Sequence, residues 1–177
     1  AKKLYGKRLI VRTGYTLSLF QEYRRSRLTN LSRKLERWAC KAADAIVVAS
    51  EADKKYLRKV SGKKNIIVIP NYVDTKRFTP LRAKKTKDIL FIGRLSEQKN
   101  LAQLIDAAKN TGCTLDIYGE GHLRSILAKR IDKAKNIQLK GRIRNEQIPT
   151  IIAHYKAFCL LSHYEGTPKT LLEAMSC

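Results

Sequence analysis

The sequence contains no hydrophobic run near the roughly 18 apolar residues that a membrane-spanning helix needs. Its first residues, AKKLYGKRLIVRTGY, also lack the long apolar stretch of a secretory signal peptide. Hydrophobic residues still make up 44% of the 177 and charged residues 29%, which excludes a disordered chain. We therefore predict a folded cytoplasmic protein with one domain or two small ones.

Cysteine and histidine are too few and too scattered for a metal site. The four cysteines form no C-x-x-C motif, and the three histidines do not stand at ligand spacing. Cys40, Cys113 and Cys159 lie in apolar stretches, a pattern typical of buried thiols in a reducing compartment. The sequence predicts reduced cysteines and no metal.

Acidic residues are scarce: 15 Asp+Glu against 37 Lys+Arg give a net charge of +22. The excess is concentrated in residues 1–87, which carry a net +18, whereas 88–177 carry +4. Such a surface suggests an anionic partner: nucleic acid, an anionic membrane face or phosphorylated substrates. Aromatic residues are only 7% and are not interleaved with the basic clusters, which argues against nucleic acid. A nucleic-acid-binding or membrane-surface-binding α/β module without catalysis remains the alternative to an enzyme.

Short apolar runs alternate with helical patterns along the chain. In the first half, strand-like runs at 7–13, 45–50 and 65–70 flank two helical segments. In the second half, four helical segments follow strands predicted at 88–93, 113–119, 136–141 and 157–162, and the last helix begins near Pro168. Continuous apolar strands between helices predict parallel sheets that are covered on both faces.

Helical spacing predicts which side chains share a face. The segment 31–44 places on one face Leu31, Leu35, Trp38, Ala39 and Ala42. The helix after residue 121 is predicted to point inward Leu123, Ile126, Leu127 and Ile131. Ser50 and Asn145 are expected to cap the helices that follow them.

A stretch with Pro80 and many basic residues, 71–88, interrupts the alternation. We predict a first domain at 1–80, a linker at 81–87 and a second domain at 88–177. The chain starts and stops without the capping signals of a finished domain. We therefore expect an internal fragment in which both domains are incomplete.

Ligands of doubly wound sheets bind outside the carboxyl ends of the strands. After the first strand of the second half, Arg94 and Lys99 flank a loop into a helix, where two cations suit a phosphate or diphosphate. After the second strand, the turn 119–121 reads Gly-Glu-Gly but is not a G-x-G-x-x-G motif. After the third, Gly141 marks a close turn, and Ile143 offers an apolar surface to a flat ring.

The segment EGTPKTLLE, 165–173, follows the fourth strand and carries two carboxylates. Glu165 precedes a helix whose first-turn N–H groups, near Lys169 and Thr170, attract anions. Glu173 lies further along that helix, and a carboxylate can accept hydrogen bonds from two vicinal sugar hydroxyls. The four strand ends together match the base, diol, diphosphate and second sugar of a sugar nucleotide.

Five segments, VIPNYVDTKRFTP, ILFIGRLSEQKNLAQLIDAA, LDIYGEGHLR, IQLKGRI and EGTPKTLLEAM, together resemble the family 4 retaining glycosyltransferases. The resemblance spans roughly 44–177, and the family's E-x7-E motif matches Glu165 and Glu173. It implies an α/β fold of GT-B type, with two Rossmann-like parallel-sheet domains. It also implies transfer of a sugar from a UDP or GDP sugar to an acceptor with retention of configuration, without a metal or another cofactor.

The resemblance also implies a role for individual residues. The diphosphate would lie against Arg94, Lys99 and the backbone at 169–170, and the base near Ile143 and the turn 119–121. Glu173 would hold the ribose, and Glu165 would contact the donor sugar near the reacting carbon. Arg94, Lys99 and Glu165 would thus be catalytic. The whole donor-contacting set is Gly93, Arg94, Lys99, Gly119, Glu120, Gly121, Arg142, Ile143, Glu165, Gly166, Thr167, Lys169, Thr170 and Glu173.

The same resemblance implies a hexosyltransferase of polysaccharide, lipopolysaccharide or glycolipid synthesis. Its acceptor would be a carbohydrate or a lipid-linked glycan, and it would act in the cytoplasm, peripherally on the inner face of the membrane. We expect the chain alone to be inactive because half of the cleft is missing. Arg12 and Tyr15 stand in the segment where many family members have a histidine, and the resemblance suggests that Arg12 or Tyr15 contacts donor or acceptor.

Overall fold

The computed structural model describes residues 5–13 and 27–177. Contacts divide the chain into two units, the first made of Ala1–Asn71 and Tyr164–Thr167, the second of Tyr72–His163 and Pro168–Cys177. The predicted linker, 81–87, lies inside the second unit in this division. Tyr15 lies outside the described residues.

The first unit contains a three-stranded parallel sheet in the order β1-β2-β3. Its elements are β1 (Ile10–Arg12), α1 (Thr29–Ala42), β2 (Ala45–Val48), α2 (Glu51–Ser61) and β3 (Ile66–Val68). Ser50 caps α2 as predicted, because its Oγ accepts a hydrogen bond from the backbone N–H of Asp53 at 3.1 Å. Gly62 ends α2 in the left-handed conformation with φ 68°, which glycine adopts without steric cost.

The core of the first unit lies between the sheet and its helices. It is made of Cys40, Ala43, Ile46, Val48, Leu57 and Ile66. Successive residues of a strand point to opposite faces of the sheet. On the face away from this core, Ile10 and Ile67 are 64% and 47% exposed. The prediction that both faces are covered is therefore wrong for the described part of this sheet.

The predicted apolar face of α1 does not form the core. Leu31 and Leu35 are both 53% exposed and Trp38 is 71% exposed, whereas the buried positions of this helix are Ser32 and Cys40. Periodicity finds an apolar stripe, but it does not say which neighbour covers that stripe.

The second unit contains a four-stranded parallel sheet in the order β6-β5-β4-β7. Each of the four predicted strands is present, but the last lies at Tyr155–Phe158 and was predicted at 157–162. Its strands are β4 (Lys87–Ile92), β5 (Leu115–Tyr118), β6 (Ile137–Gly141) and β7 (Tyr155–Phe158). Its helices are α3 (Leu101–Thr111), α4 (Arg124–Ile131), α5 (Ile148–Ile152) and α6 (Lys169–Ser176), with 3-10 turns at Glu97–Lys99 and Asn145–Gln147. The chain first proceeds outward from β4 to β6 and then crosses to β7 on the other side of β4. This topological switch places a crevice at the carboxyl end of the central strand.

Apolar side chains pack on both faces of this second sheet. The first cluster contains Phe91, Leu95, Leu101, Leu104, Ile105, Ala108, Leu115, Ile117, Leu127, Ile131 and Ile137. The second contains Phe78, Leu90, Ile92, Ile148 and Tyr155. Alternate residues of β4 enter different clusters, as the two-residue period of a strand requires. The continuous apolar runs thus correctly predicted a sheet covered on both faces.

Two local predictions in the second unit are wrong. Ile126 is 60% exposed, because Leu127 and Ile131, four positions apart, form the inward stripe of α4. Asn145 begins a 3-10 turn and is not its cap. The Gln147 side chain instead accepts from the backbone N–H of Arg144 at 3.2 Å.

The four cysteines are free thiols. Cys40 is buried, and Cys113 and Cys159 are half-buried. Burial raises the pKa of the Cys40 and Cys159 thiols, since a thiolate loses hydration there. Both thiols are therefore protonated near neutral pH.

Candidate functional site

A groove of about 570 Å³ lies at the carboxyl edge of the second sheet. The loops after β4, β5 and β6 form it, in agreement with the predicted convergence of strand ends. Six predicted donor-contacting residues line it: Gly93, Arg94, Gly119, Glu120, Arg142 and Ile143. Sequence reasoning missed the further lining residues Ile92, Tyr118 and Ile148, and assigned Asn145 only a capping role.

Two glycines of the groove loops are required by packing between backbones. A Cβ at Gly119 would lie 1.8 Å from the carbonyl oxygen of Gly93, and one at Gly121 would lie 2.2 Å from that of Leu95. The loops are joined where the Leu95 N–H donates to the Glu120 carbonyl at 2.9 Å. The Gly-Glu-Gly turn thus fixes the groove wall, and close approach to a ligand is not needed to explain its glycines.

One charged pair connects two groove loops, since Nε2 of His122, after β5, lies 3.0 Å from Oε2 of Glu97, after β4. Within the segment after β5, Nη1 of Arg124 lies 3.5 Å from Oε1 of Glu120. Arg94 and Arg142 are exposed at the groove. Their guanidinium groups supply the donors that an anionic phosphate prefers.

Glu173 of α6 is 9% exposed and lies next to a groove residue. Its Oε1 accepts from Nδ2 of Asn145, which lines the groove, at 3.4 Å. Its Oε2 is buried and has no hydrogen-bond partner in the described part of the chain. Buried carboxylate oxygens in native proteins are almost always hydrogen-bonded, so this oxygen can accept from a ligand hydroxyl or from a water.

Other predicted residues of the second unit lie outside the groove lining. Lys99 ends the 3-10 turn and is half-buried, with its N–H donating to the carbonyl of Ser96 at 3.0 Å. Lys169 and Thr170 form the first turn of α6, where backbone N–H groups have no partner within the helix.

The loop of Glu165 belongs to the first unit by its contacts, together with Gly166 and Thr167. Glu165 is half-buried there. Oγ1 of Thr167 donates to the carbonyl of Ala49 at 2.9 Å, and Nδ2 of Asn71 donates to the carbonyl of Thr167 at 2.5 Å. The two carboxylates of the E-x7-E pattern are thus assigned to different units.

Arg12, the other residue predicted in the first half, is exposed on β1 and pairs in register with Val47. Within the described ranges, no helix combines the length and apolar character that crossing a membrane requires.

Sequence comparison relates both parts of the chain to glycosyltransferases. The model of the family described as glycosyl transferases group 1 matches residues 72–177, and that of glycosyltransferase family 4 matches 2–77. The amylovoran biosynthesis glycosyltransferase AmsD of Erwinia amylovora is 31% identical over 154 residues, covering 80% of this chain and 43% of the relative. A UDP-Gal:alpha-D-GlcNAc-diphosphoundecaprenol alpha-1,3-galactosyltransferase of Escherichia coli is 29% identical over 202 residues, covering 99% and 51%. The chain thus spans about half the length of these curated relatives.

Solved structures agree on the fold. Sucrose-phosphate synthase from Thermosynechococcus elongatus superposes with a TM-score of 0.84 at 18% identity, covering 99% of this chain and 50% of the other. Anabaena HepE, in complex with UDP and glucose, superposes with a TM-score of 0.82 at 20% identity, covering 99% and 52%. At such identities the likeness shows the fold alone, which is that of GT-B glycosyltransferases. The family match over more than half of the sequence gives the further conclusion that this chain belongs to the glycosyl transferases group 1 family, with the GT-B fold of family 4 glycosyltransferases.

Proposed function

We propose that the full-length protein transfers a sugar from a nucleotide sugar to an acceptor with retention of anomeric configuration. The observation that carries this proposal is the buried Glu173 carboxylate beside the groove, with one oxygen unpartnered among the described residues. An unsatisfied buried acceptor costs about 1–3 kcal/mol, and a hydroxyl of the bound nucleotide would remove that cost. The vicinal hydroxyls of a ribose are the natural donors, since they are adjacent and both can donate to one carboxylate.

The rest of the groove suits the other parts of the donor. We assign the base to the half-buried Ile143 and the turn 119–121, because an apolar side chain at the groove can cover one face of a flat ring. Arg94 and Arg142 add positive charge at the same groove. Lys99 and the first turn of α6, at Lys169 and Thr170, are assigned to the diphosphate, together with Arg94.

The proposed chemical step exchanges one bond at the anomeric carbon. The bond from that carbon to the diphosphate oxygen breaks, and its electron pair remains on the nucleoside diphosphate. The acceptor hydroxyl forms the new bond on the same face, and its proton passes to an oxygen of the leaving phosphate. Arg94 and Lys99 stabilise the charge that develops on the diphosphate, and Glu165 orients the donor sugar. The step needs no metal.

The names of the relatives support a proposal for the substrate class. One is named for amylovoran biosynthesis and another for transfer of galactose from a UDP donor to a diphosphoundecaprenol-linked sugar. We therefore propose a hexosyltransferase of polysaccharide or glycolipid synthesis, with a UDP sugar favoured over a GDP sugar. Since the chain spans about half of these relatives, we expect it to be inactive without the remainder of the enzyme.

An anionic membrane surface on the cytoplasmic side is the proposed location of the enzyme. The exposed stripe of α1 is defined as Leu28, which directly precedes the helix, with Leu31, Leu35 and Trp38; these side chains are 53–71% exposed. Beside it, a groove of about 400 Å³ is lined by Asn30, Arg33, Lys34, Arg37 and Val60. Apolar side chains next to a row of cations are typical of helices that lie on anionic membranes, where each Lys or Arg contributes about 1 kcal/mol. This contact would hold the enzyme near a lipid-linked acceptor.

Glu173→Gln in the full-length protein tests the proposed function. The amide keeps the size of the side chain but replaces an acceptor oxygen by a donor, so one ribose hydroxyl loses its partner. We expect the Kd of UDP, measured by calorimetry, to rise about tenfold, as one charge-assisted hydrogen bond predicts. Glu51→Gln, at an exposed glutamate of α2, is the matched control and should leave the Kd unchanged. Unchanged UDP affinity in Glu173→Gln would contradict the assignment.

A further inference from the structure

The loop 164–167 is held at both the side chain and the backbone of one residue, Thr167. Its Oγ1 donates to the carbonyl of Ala49, and its carbonyl accepts from the amide of Asn71. Ala49 directly follows β2, and Asn71 follows β3 by three residues. Both anchors therefore belong to the carboxyl edge of the first sheet, the edge where parallel sheets place functional loops.

These hydrogen bonds restrict a loop that would otherwise be adaptable. Gly166 separates Thr167 from Glu165, and glycine is the residue with the largest backbone freedom. Ordering one residue of backbone costs about 1–2 kcal/mol, and two hydrogen bonds to a rigid sheet edge offset a cost of that size. Because two residues span at most about 7 Å, fixing Thr167 also limits where Glu165 can lie.

Neither anchoring side chain is needed by the core. Thr167 and Asn71 are both half-buried, and neither belongs to the apolar cluster of the first unit. Asn71 comes directly after Pro70, which lacks an N–H and restricts the backbone before the anchor. The side-chain amide of Asn71 therefore extends from a backbone segment of restricted conformation. Such restriction is expected of a residue that positions a neighbouring loop.

We propose that Asn71 and Thr167 are positioning residues for Glu165, an inference that rests on the proposed function. They hold the loop so that Glu165 meets the donor sugar in one orientation. The nucleotide is assigned to the groove of the second unit and to Glu173. Loss of the anchors should therefore slow the chemical step and leave nucleotide affinity nearly unchanged.

The substitutions Thr167→Val and Thr167→Ser separate the hydroxyl from its packing. Valine keeps the shape but cannot donate to Ala49, whereas serine keeps the hydroxyl. Asn71→Leu removes the second anchor, and Asn65→Leu is its matched control, since Asn65 donates to the carbonyl of Asp44 at 2.9 Å within the same unit. All are made in the full-length protein.

Three measurements are made on each variant. The first is the Kd of UDP by calorimetry. The second is the steady-state rate of UDP release from UDP-glucose, UDP-galactose and UDP-N-acetylglucosamine, and of GDP release from GDP-mannose. It is measured with a diphosphoundecaprenol-linked sugar as the acceptor, the class in the name of one relative. The third is amide hydrogen exchange of the peptide that covers 164–167, which reports the loop without requiring activity.

In Thr167→Val and Asn71→Leu we expect kcat to fall about tenfold or more, while the Kd of UDP changes by less than about twofold. Exchange in 164–167 should be faster in both and unchanged in Thr167→Ser, which keeps the hydroxyl that donates to Ala49. Asn65→Leu should resemble the wild type in all three measurements. Wild-type kcat and exchange in Thr167→Val would overturn the positioning role, and so would equal losses of kcat and UDP affinity. A wild-type protein that binds UDP but releases none from these donors would overturn the proposed chemistry itself. That outcome is measured on the wild type alone, so it is distinguished from failure of the positioning role, which is measured on the variants.

Discussion

The hydroxyl of Tyr155 on β7 lies 2.6 Å from Oδ2 of Asp116 on β5, and the two side chains meet across the central strand β4. Asp116 is 3% exposed, and the ammonium groups of Lys87 and Lys140 lie 3.6 and 3.9 Å from the same oxygen. Burial, and then the hydrogen bond to Asp116, raise the pKa of Tyr155 well above its usual range, so it remains a donor. The buried charge of Asp116 on β5 is thus satisfied by residues from the other three strands of the sheet.

Removal of the Tyr155 hydroxyl should destabilise the second unit. In Tyr155→Phe the buried carboxylate loses its shortest hydrogen bond, and we expect the free energy of unfolding to fall by about 1–3 kcal/mol. Urea denaturation of the full-length protein measures this change. Tyr72→Phe, at a residue 85% exposed, is the matched control and should have no effect. Equal stability of Tyr155→Phe and the wild type would show that the hydrogen bond contributes nothing net.

The ionised carboxylate of Asp88 should increase the free energy of unfolding, and this increase should be lost in acid. A hydrogen bond from Lys156 Nζ at 2.7 Å and two from Thr114 at 2.9 Å lower the pKa of Asp88 from 3.8 to about 2. Because the folded pKa is the lower one, this contribution is complete above pH 3.8 and disappears as the pH falls toward 2. Asp88→Asn should therefore unfold at a lower denaturant concentration than the wild type at pH 7, and the gap should close between pH 4 and pH 2. A gap that is independent of pH would rule out the ionised carboxylate as its cause.

The glycines of the groove wall should not tolerate a methyl group. In Gly121→Ala the new Cβ would lie 2.2 Å from the carbonyl oxygen of Leu95, so the two loops must separate at a cost of about 1–3 kcal/mol. We expect weaker UDP binding in calorimetry together with reduced stability. Gly112→Ala is the control, because no atom lies within 4 Å of its Cβ and only the strain of its φ of 70° remains. Full UDP affinity in Gly121→Ala would mean that the groove does not depend on this contact.

The exposed stripe of α1 should determine membrane binding. We expect the full-length protein to sediment with vesicles of phosphatidylglycerol and phosphatidylcholine but not with phosphatidylcholine alone. Trp38→Ser should weaken that binding about tenfold or more, because a large apolar side chain would no longer be buried in the lipid on binding. Ile126→Ser, which removes a 60% exposed side chain from the second unit, is the control. Binding that is unaffected by Trp38→Ser, or that shows no preference for anionic lipid, would contradict the proposed surface.

Local sequence patterns were sufficient to predict the strands and helices of the second unit and most of the residues that line the groove. Continuous apolar runs at 88–93 and 113–119 predicted the strands Lys87–Ile92 and Leu115–Tyr118. A strand that is buried on both faces needs apolar side chains at successive positions, and such a run is visible in the sequence. The convergence of Arg94, Glu120 and Ile143 in one groove was also predictable. Parallel strands share one carboxyl edge, so the loops after them must lie together.

The sequence by itself determined the alternation of strands and helices and the loops that form the groove, since each of these depends on residues close together in the chain. The order of its motifs along the chain indicated the family. The tertiary structure decided that the stripe with Trp38 is exposed, that Asn145 contacts Glu173 across 28 positions, and that Thr167 bonds to Ala49 across 118. It also decided that the loop of Glu165 is grouped with the first unit, although Glu173 is only eight positions away. Each of these contacts depends on which distant segments pack together. The periodicity of one segment does not identify the segment that packs against it.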